Sequence, residues 1–202
     1  HSYNIYVEDY GGAIGSEKAV VHMGNGRAEL FNETFVPGFV AHYFADGWEA
    51  ELTKDYNQGS LFVLTFGNGT TWTFNNTGPG DGKISVISDR YGNDFTFGYD
   101  SEGRLTTITD TLVRVYTLAY GGDDLIDSIT ESAGLTRVVS YTYYGTSESG
   151  GNPGDLKSVT YPEITETPTG NNFSPGRSLT YTYDTSTSPA LTGNLLTIKD
   201  GR

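Results

Sequence analysis

The sequence predicts an all-β chain laid out as an antiparallel strip of hairpins, and three observations carry that prediction. Twenty-seven glycines and seven prolines are scattered along the chain as turn punctuation. The stretches between them are short and rich in Thr, Tyr, Val, Ile and Phe, the β-branched and aromatic types that suit a pleated, half-buried surface. From Ile84 onward the chain also repeats itself in register, with Ile84, Leu105 and Ile126 in one column at a spacing of 21 residues.

Taken in order, the first element is a hairpin. Ala19 to Met23 and Arg27 to Phe31 flank Gly24-Asn25-Gly26, and Asn-Gly supplies the positive φ that a tight hairpin turn demands. Gly47 to Asp55 reads as a strand with Trp48, Ala50 and Leu52 alternating along it. Leu61 to Phe66 and Thr70 to Phe74 flank Gly67-Asn68-Gly69 and form a second hairpin. The repeats follow. Ile87, Ile108 and Ile129 share a column, as do Phe97, Leu118 and Val139, and Tyr99, Tyr120 and Tyr141. In each unit apolar positions alternate with Thr, Ser or charge, so each unit is one hairpin of two half-buried strands. The pattern resumes at Leu156, Val159 and Tyr161. It resumes again at Leu179, Tyr181, Tyr183 and Asp184, after a Pro-, Ser-, Gly- and Asn-rich insertion from Pro162 to Gly176 that is expected to bulge from the sheet. A last copy runs through Leu195, Ile198 and Asp200 and stops within its hairpin, so the natural protein is expected to continue. The expected division is an N-terminal β region, residues 1–80, that caps the sheet, and a repeat array, residues 81–202.

Composition narrows the function. Twenty-five acidic against twelve basic residues give a formal net charge of −13 in 202 residues, which repels a phosphate backbone and argues against nucleic acid as a partner. At 18% charged and 13% aromatic residues the chain has too much packing material for a disordered polyanion. The absence of cysteine excludes disulfides, thiolate metal sites and cysteine nucleophiles. The longest apolar-leaning stretch, Phe35 to Ala45, is broken by Pro37, Gly38 and His42 and falls short of the ~20 residues of a membrane helix.

Tyr99-Asp100-Ser101-Glu102-Gly103-Arg104-Leu105-Thr106-Thr107-Ile108-Thr109-Asp110, with Arg114 and Leu118-Ala119-Tyr120 beyond it, resembles the tyrosine-aspartate (YD) repeat of the Rhs and insecticidal-toxin-complex families. Tyr183-Asp184 and Gly193 to Arg202 match the same pattern, and Asp89-Arg90-Tyr91-Gly92-Asn93 resembles its Asp-x-x-Gly-Asn variant. The resemblance covers about Gly82 to Arg202. Departures are visible: Val113 stands where the family has Gly, and Gly121 and Thr142 replace the Asp after Tyr. The resemblance implies a β-strip that in full-length relatives spirals into a shell around a toxic C-terminal domain, or forms an extracellular binding surface. Leu52-Thr53, Leu61 to Leu64 and Thr71 to Phe74 resemble the strands that precede the first unit in such proteins.

Structural roles account for the repeat residues. A tyrosine ring packs along the strip while its hydroxyl reaches a partner at the rim. Gly103 permits the turn, Asp100 hydrogen-bonds it, and Arg104 and Arg114 are placed to pair with Asp110 or Asp89. No catalytic set, cofactor site or metal site is assigned. Glu49 and Glu51, with Asp46, Asp55 and Glu29 nearby, could form a glycosidase pair, but an acidic protein displays carboxylates in any case. His22 and His42 could join Asp46 at a metal, without a repeating ligand spacing. Gly121-Gly122-Asp123-Asp124-Leu125 is similar to calcium-binding Gly/Asp repeats but occurs once, so only adventitious Ca²⁺ at the Asp81, Asp123, Asp124 and Asp155 loops stays open. Trp48 and Trp72 are the candidate ligand residues, as a stacking platform for sugar rings, against the reading that they are sheet core. The expected protein is a secreted or cell-surface scaffold or adhesion module whose partners are neighbouring repeats, identical subunits or glycans. A toxin-enclosing shell fragment, a filament subunit joined by strand pairing, and a glycan-active enzyme are the alternatives.

Overall fold

The computed structural model describes residues 4–13, 16–34, 38–133, 135–164, 176–186 and 193–201. The expected insertion lies largely at 165–175, outside the described residues. The chain is all-β. Its strands are β1 (Tyr6–Gly11), β2 (Lys18–His22), β3 (Ala28–Thr34), β4 (Val40–Phe44), β5 (Ala50–Asp55), β6 (Leu61–Phe66), β7 (Thr71–Phe74), β8 (Ile84–Ser88), β9 (Asp94–Tyr99), β10 (Leu105–Thr109), β11 (Val115–Tyr120), β12 (Ile126–Ala133), β13 (Leu135–Tyr143), β14 (Leu156–Thr160), β15 (Ser178–Tyr183) and β16 (Leu195–Asp200). Among the described residues they follow one another in sequence order as a single open antiparallel sheet of sixteen strands, with one 3₁₀ turn at Tyr56–Gln58. By contacts the chain divides into two compact units, His1–Val113 and Arg114–Arg202.

In the first unit the alternation written in the sequence becomes a buried face. Val21, Phe31, Tyr43, Leu52, Leu64, Phe74 and Ile84 are fully buried, each on an adjacent strand. One edge of β1 pairs with β2, and its other edge meets the entry to β8. Tyr6 bridges Lys83, the Val7 N–H donates to the Gly82 carbonyl at 2.7 Å, and the Ile84 N–H donates to the Ile5 carbonyl at 3.0 Å. The first eight strands therefore curl until β1 touches β8, through one bridge and two flanking bonds, and no ladder closes a barrel. Gly82, at φ 72°, is required at this seam, because a Cβ there would stand 2.7 Å from the Val7 carbonyl oxygen.

One turn recurs along the sheet. It spans five residues: the first N–H donates to the fifth carbonyl, the fourth N–H donates to the first carbonyl, and the fourth residue has positive φ. It forms at 23–27, 66–70, 89–93, 100–104 and 121–125. The Val113 N–H donates to Asp110 in the same manner. Successive turns start at Asp89, Asp100, Asp110 and Gly121, steps of 11, 10 and 11, and two steps make the 21-residue period. Asp89 and Asp100 lock their turns by accepting backbone N–H bonds from the third and fifth residues. Where Gly121 has lost that carboxylate, Asp123 in the third position accepts from the Leu125 N–H, as Asn25 and Asn68 do for Arg27 and Thr70.

At one end of the strands an aromatic residue pairs with the first residue of the next strand across a bulge: Phe74 with Ile84, Tyr99 with Leu105, Tyr120 with Ile126, Tyr143 with Leu156 and Tyr183 with Leu195, the second and third pairs directly bracketing the turns at 100–104 and 121–125. The extra residue of each bulge bends its strand and increases its twist. Two residues before each aromatic, a second column pairs Trp72 with Ile87, Phe97 with Ile108, Leu118 with Ile129, Tyr141 with Val159 and Tyr181 with Ile198.

This register corrects the third unit. Tyr143, not Tyr141, stands where Tyr99 and Tyr120 stand, and Tyr141 takes the place of Phe97 and Leu118 that the fixed period gave to Val139. The β12–β13 hairpin is longer than its predecessors, so the copy slips by two residues. A slip of two leaves every side chain on its original face, which is why the sequence pattern conceals it.

Candidate functional site

The first unit holds a polar cluster, centred on the buried Glu17 and Lys54, whose members come from six separate segments. Glu17, just before β2, continues inward the alternation of Ala19 and Val21, and Lys54 continues that of Ala50 and Leu52 on β5; both are buried. One oxygen of Glu17, Oε2, accepts from Lys54 Nζ at 2.9 Å, from the Tyr43 hydroxyl at 2.8 Å and from the Tyr56 hydroxyl at 3.0 Å. Lys54 Nζ also contacts Asp9 Oδ2 at 2.8 Å and lies over the rings of Tyr56 and Phe62, 5.0 and 5.5 Å from their centroids. Glu33 Oε2 accepts the Glu17 N–H at 2.9 Å.

Burial alone would raise the Glu17 carboxyl. The hydrogen bonds from Lys54, Tyr43 and Tyr56 outweigh it and hold the group below the ordinary carboxylate range. Burial likewise pushes Lys54 down, but its bonds to Asp9 and Glu17 leave it above its ordinary value. The Tyr43 and Tyr56 hydroxyls rise, through burial first and then through their bonds to Glu17. The cluster is an ion pair flanked by a second carboxylate and closed by phenols and aromatic rings.

Beside it, a cavity of about 360 Å³ is lined by Val7, Asp9, Gly59, Ser60, Phe62, Asn75, Asn76, Asp81 and Gly82. Asp9 and Phe62 belong to both. Nothing in the sequence motifs singled out Asp9, Glu17, Tyr43, Lys54 or Tyr56. The readable signal was the presence of charged residues at inward positions of an alternating strand.

The other expected residues are placed as follows. Trp48 and Trp72 are brought together through Phe66, with ring centroids 5.9 and 5.0 Å from it, and Trp48 also meets the buried Phe31 edge-on at 5.8 Å. The Arg27 guanidinium lies 4.9 Å from the Trp48 ring centroid. Both indoles are half-buried members of an aromatic ladder. Glu51 pairs with His42 across β4 and β5. Glu49 and Asp46 lie exposed in the preceding turn. His22 stacks on Tyr6 and pairs with Glu8 at 3.1 Å. Because His22 aligns with Ala28 and His42 with Thr34, the two histidines stand at opposite ends of β3, and the trio with Asp46 does not converge. Among the described residues no group of three or more His, Asp or Glu is arranged to hold a metal ion. Asp123 and Asp124 form an ordinary turn, with Asp124 at φ 61°.

The repeat residues do structural work. Asp100 holds Arg104 Nε at 2.8 Å as well as its turn. Arg104 also reaches Glu102, and Arg114 lies near Glu131 at 3.8 Å. The Tyr99 hydroxyl donates to the Ile84 carbonyl at 2.7 Å, and Tyr143 donates to Ile126 at 2.8 Å. In both cases the ring closes on the first residue of the preceding strand. Asp110 is buried and accepts the Leu112 N–H. Asp184 accepts the Ser186 N–H. Leu105 is buried and Ile108 half-buried. Among the described residues no helix is long and apolar enough to cross a membrane. No protein-family model matches the chain, and no curated protein matches it.

Proposed function

We propose that the chain is a structural and binding module of a secreted or cell-surface YD-repeat protein, acting as a scaffold or adhesion surface and not as an enzyme. The observation that carries this reading is the repeated closure: the aromatic-to-apolar bulged pair recurs in five hairpins, and the Tyr and Asp side chains of the repeats are engaged in tying turns and strand starts. Units of this kind bury their apolar residues against neighbours, so length is gained by adding copies and function is carried by the surface they present. The partners are further strands of the same grammar and, at the Trp48–Phe66–Trp72 ladder, the apolar faces of sugar rings.

The test is a panel of soluble and immobilised glycans, read both for retention of the chain and for release of reducing ends. The expected outcome is reversible retention at most, reduced in Trp48→Ala and Trp72→Ala, with no release. Sugar release that disappears in Glu51→Gln would overturn the reading in favour of a glycan-active enzyme.

The last strand favours a second form of the same scaffold. Leu195, Leu196 and Ile198 on β16 are 49, 62 and 59% exposed, apolar positions suited to receive a further strand. That strand would come from further repeats, as in a toxin-enclosing shell, or from another subunit, as in a filament. Light scattering of residues 1–202 at low and at physiological salt, where screening acts over about 8 Å, separates these: ordered growth supports the filament, and a strict monomer removes it.

A further inference from the structure

The Lys54 cluster holds three groups in the arrangement needed to join two strands covalently. A lysine amine lies in hydrogen-bond contact with the carboxyl of Asp9 on β1 at 2.8 Å, and with a second carboxylate, Glu17, at 2.9 Å. The side chains of Lys54 and Glu17 are 6 and 10% exposed, and Tyr43, Tyr56 and Phe62 wall the site. We propose that Lys54 and Asp9 condense to an intramolecular isopeptide bond, with Glu17 shuttling the proton.

The step balances without a co-reactant. The Lys54 ammonium gives a proton to Glu17, and Glu17 passes it to the Asp9 carboxyl, which turns a carboxylate into an electrophile. The Nζ lone pair forms the N–C bond to Asp9 Cγ. A second proton leaves the nitrogen through Glu17, and the C–O bond breaks. One ammonium hydrogen stays on the amide, and two leave in a water whose oxygen comes from Asp9. The cavity at Asp9 gives that water a way out.

Two physical terms favour the reaction here. Fixing amine and carboxyl in contact replaces a bimolecular encounter by a near-attack geometry, with large effective molarity. The Lys54 ammonium is almost shut off from water at 6% exposure, while Asp9 is 37% exposed, so conversion to a neutral amide relieves the desolvation borne by the ammonium, and the Glu17 carboxylate it leaves keeps the hydrogen bonds from the Tyr43 and Tyr56 hydroxyls. Opposing them, the hydrogen bonds of Lys54 keep it protonated, so the free amine is a minor species and the bond forms slowly, once per chain. The product would tie β1 to β5 and make the seam between β1 and β8 resistant to unzipping, a property of use to a protein displayed outside the cell.

The experiment is the intact mass of denatured residues 1–202 after prolonged incubation in the folded state. The expected result is a species lighter than the sequence mass by one water, and a branched peptide joining the segments around Asp9 and Lys54 after digestion. Lys54→Arg, Asp9→Ala and Glu17→Gln should keep the full mass, with circular dichroism confirming that each remains β-folded. The wild-type mass decides even if a variant fails to fold: a folded wild type at full sequence mass overturns the proposal. So does a loss of water that persists in Lys54→Arg, because it would be cyclisation of an aspartate onto its own backbone.

Discussion

Val113 should be a site where glycine stabilises the protein. Its φ is +62° in the turn that starts at Asp110, where the equivalent residues are Gly92 at 80°, Gly103 at 74° and Asp124 at 61°. The left-handed region brings Cβ against the carbonyl, and a β-branched side chain worsens the clash, so residues held there carry strain of about 1–3 kcal/mol. Val113 is 80% exposed, so trimming its side chain gives up about 0.5 kcal/mol of apolar burial. Glycine adds unfolded-state entropy that costs about 0.5–1 kcal/mol. With strain near the top of its range for valine, Val113→Gly should gain about 1 kcal/mol, a rise in melting temperature of about 2–4 °C for a chain of this length. Thermal melts followed by circular dichroism, together with urea titration, measure it. Val113→Asn should gain similarly, since asparagine tolerates this region. Destabilisation by Val113→Gly, or a gain from Val113→Ala as large as that from glycine, would show that backbone strain at this turn is not the cause, because alanine keeps the strain and sheds only exposed apolar surface.

Three further outcomes follow from named contacts. Tyr99→Phe removes the hydroxyl bond to the Ile84 carbonyl and should cost about 1 kcal/mol in urea unfolding, and no loss would mean that water satisfies that carbonyl equally well. Gly82→Ala must combine left-handed strain with a Cβ against the Val7 carbonyl, so it should cost about 2 kcal/mol or more and raise hydrogen exchange at Val7 and Ile84 selectively, whereas uniform exchange would discount the seam. Asp89 lies below its ordinary range because the side chain and backbone of Asn93 bond it; for Asp100, burial raises the carboxyl but its bonds to Arg104 outweigh that and lower it. A depressed folded-state value means that these carboxylates stabilise fully above the unfolded value of about 3.9 and lose that contribution as pH falls through the folded one. Melting temperature should therefore drop in that acidic window, and Asp89→Asn with Asp100→Asn should lower the neutral plateau and flatten the drop; an unchanged acid limb would show that other carboxylates control it.

What the sequence determined by itself is local. Asn25-Gly26, Asn68-Gly69 and Asp100 to Gly103 act over five residues, through the positive φ that glycine permits and the side-chain oxygens that bind the turn backbone, and each needs only its own neighbours. Their spacing gave the all-β class, the hairpin order and the period. The tertiary structure decided whatever depends on distance along the chain. The slip of Tyr141 and Tyr143 follows from a longer hairpin, and a two-residue change leaves no mark on an alternating pattern. The pairing of Ile5 to Val7 with Gly82 to Ile84 depends on the accumulated curl of eight strands. Asp9, Glu17, Tyr43, Lys54 and Tyr56 have no fixed spacing, because what joins them is that same curl, which brings separate strands together around Lys54 and Glu17, where buried, unpaired charge is too costly to leave alone.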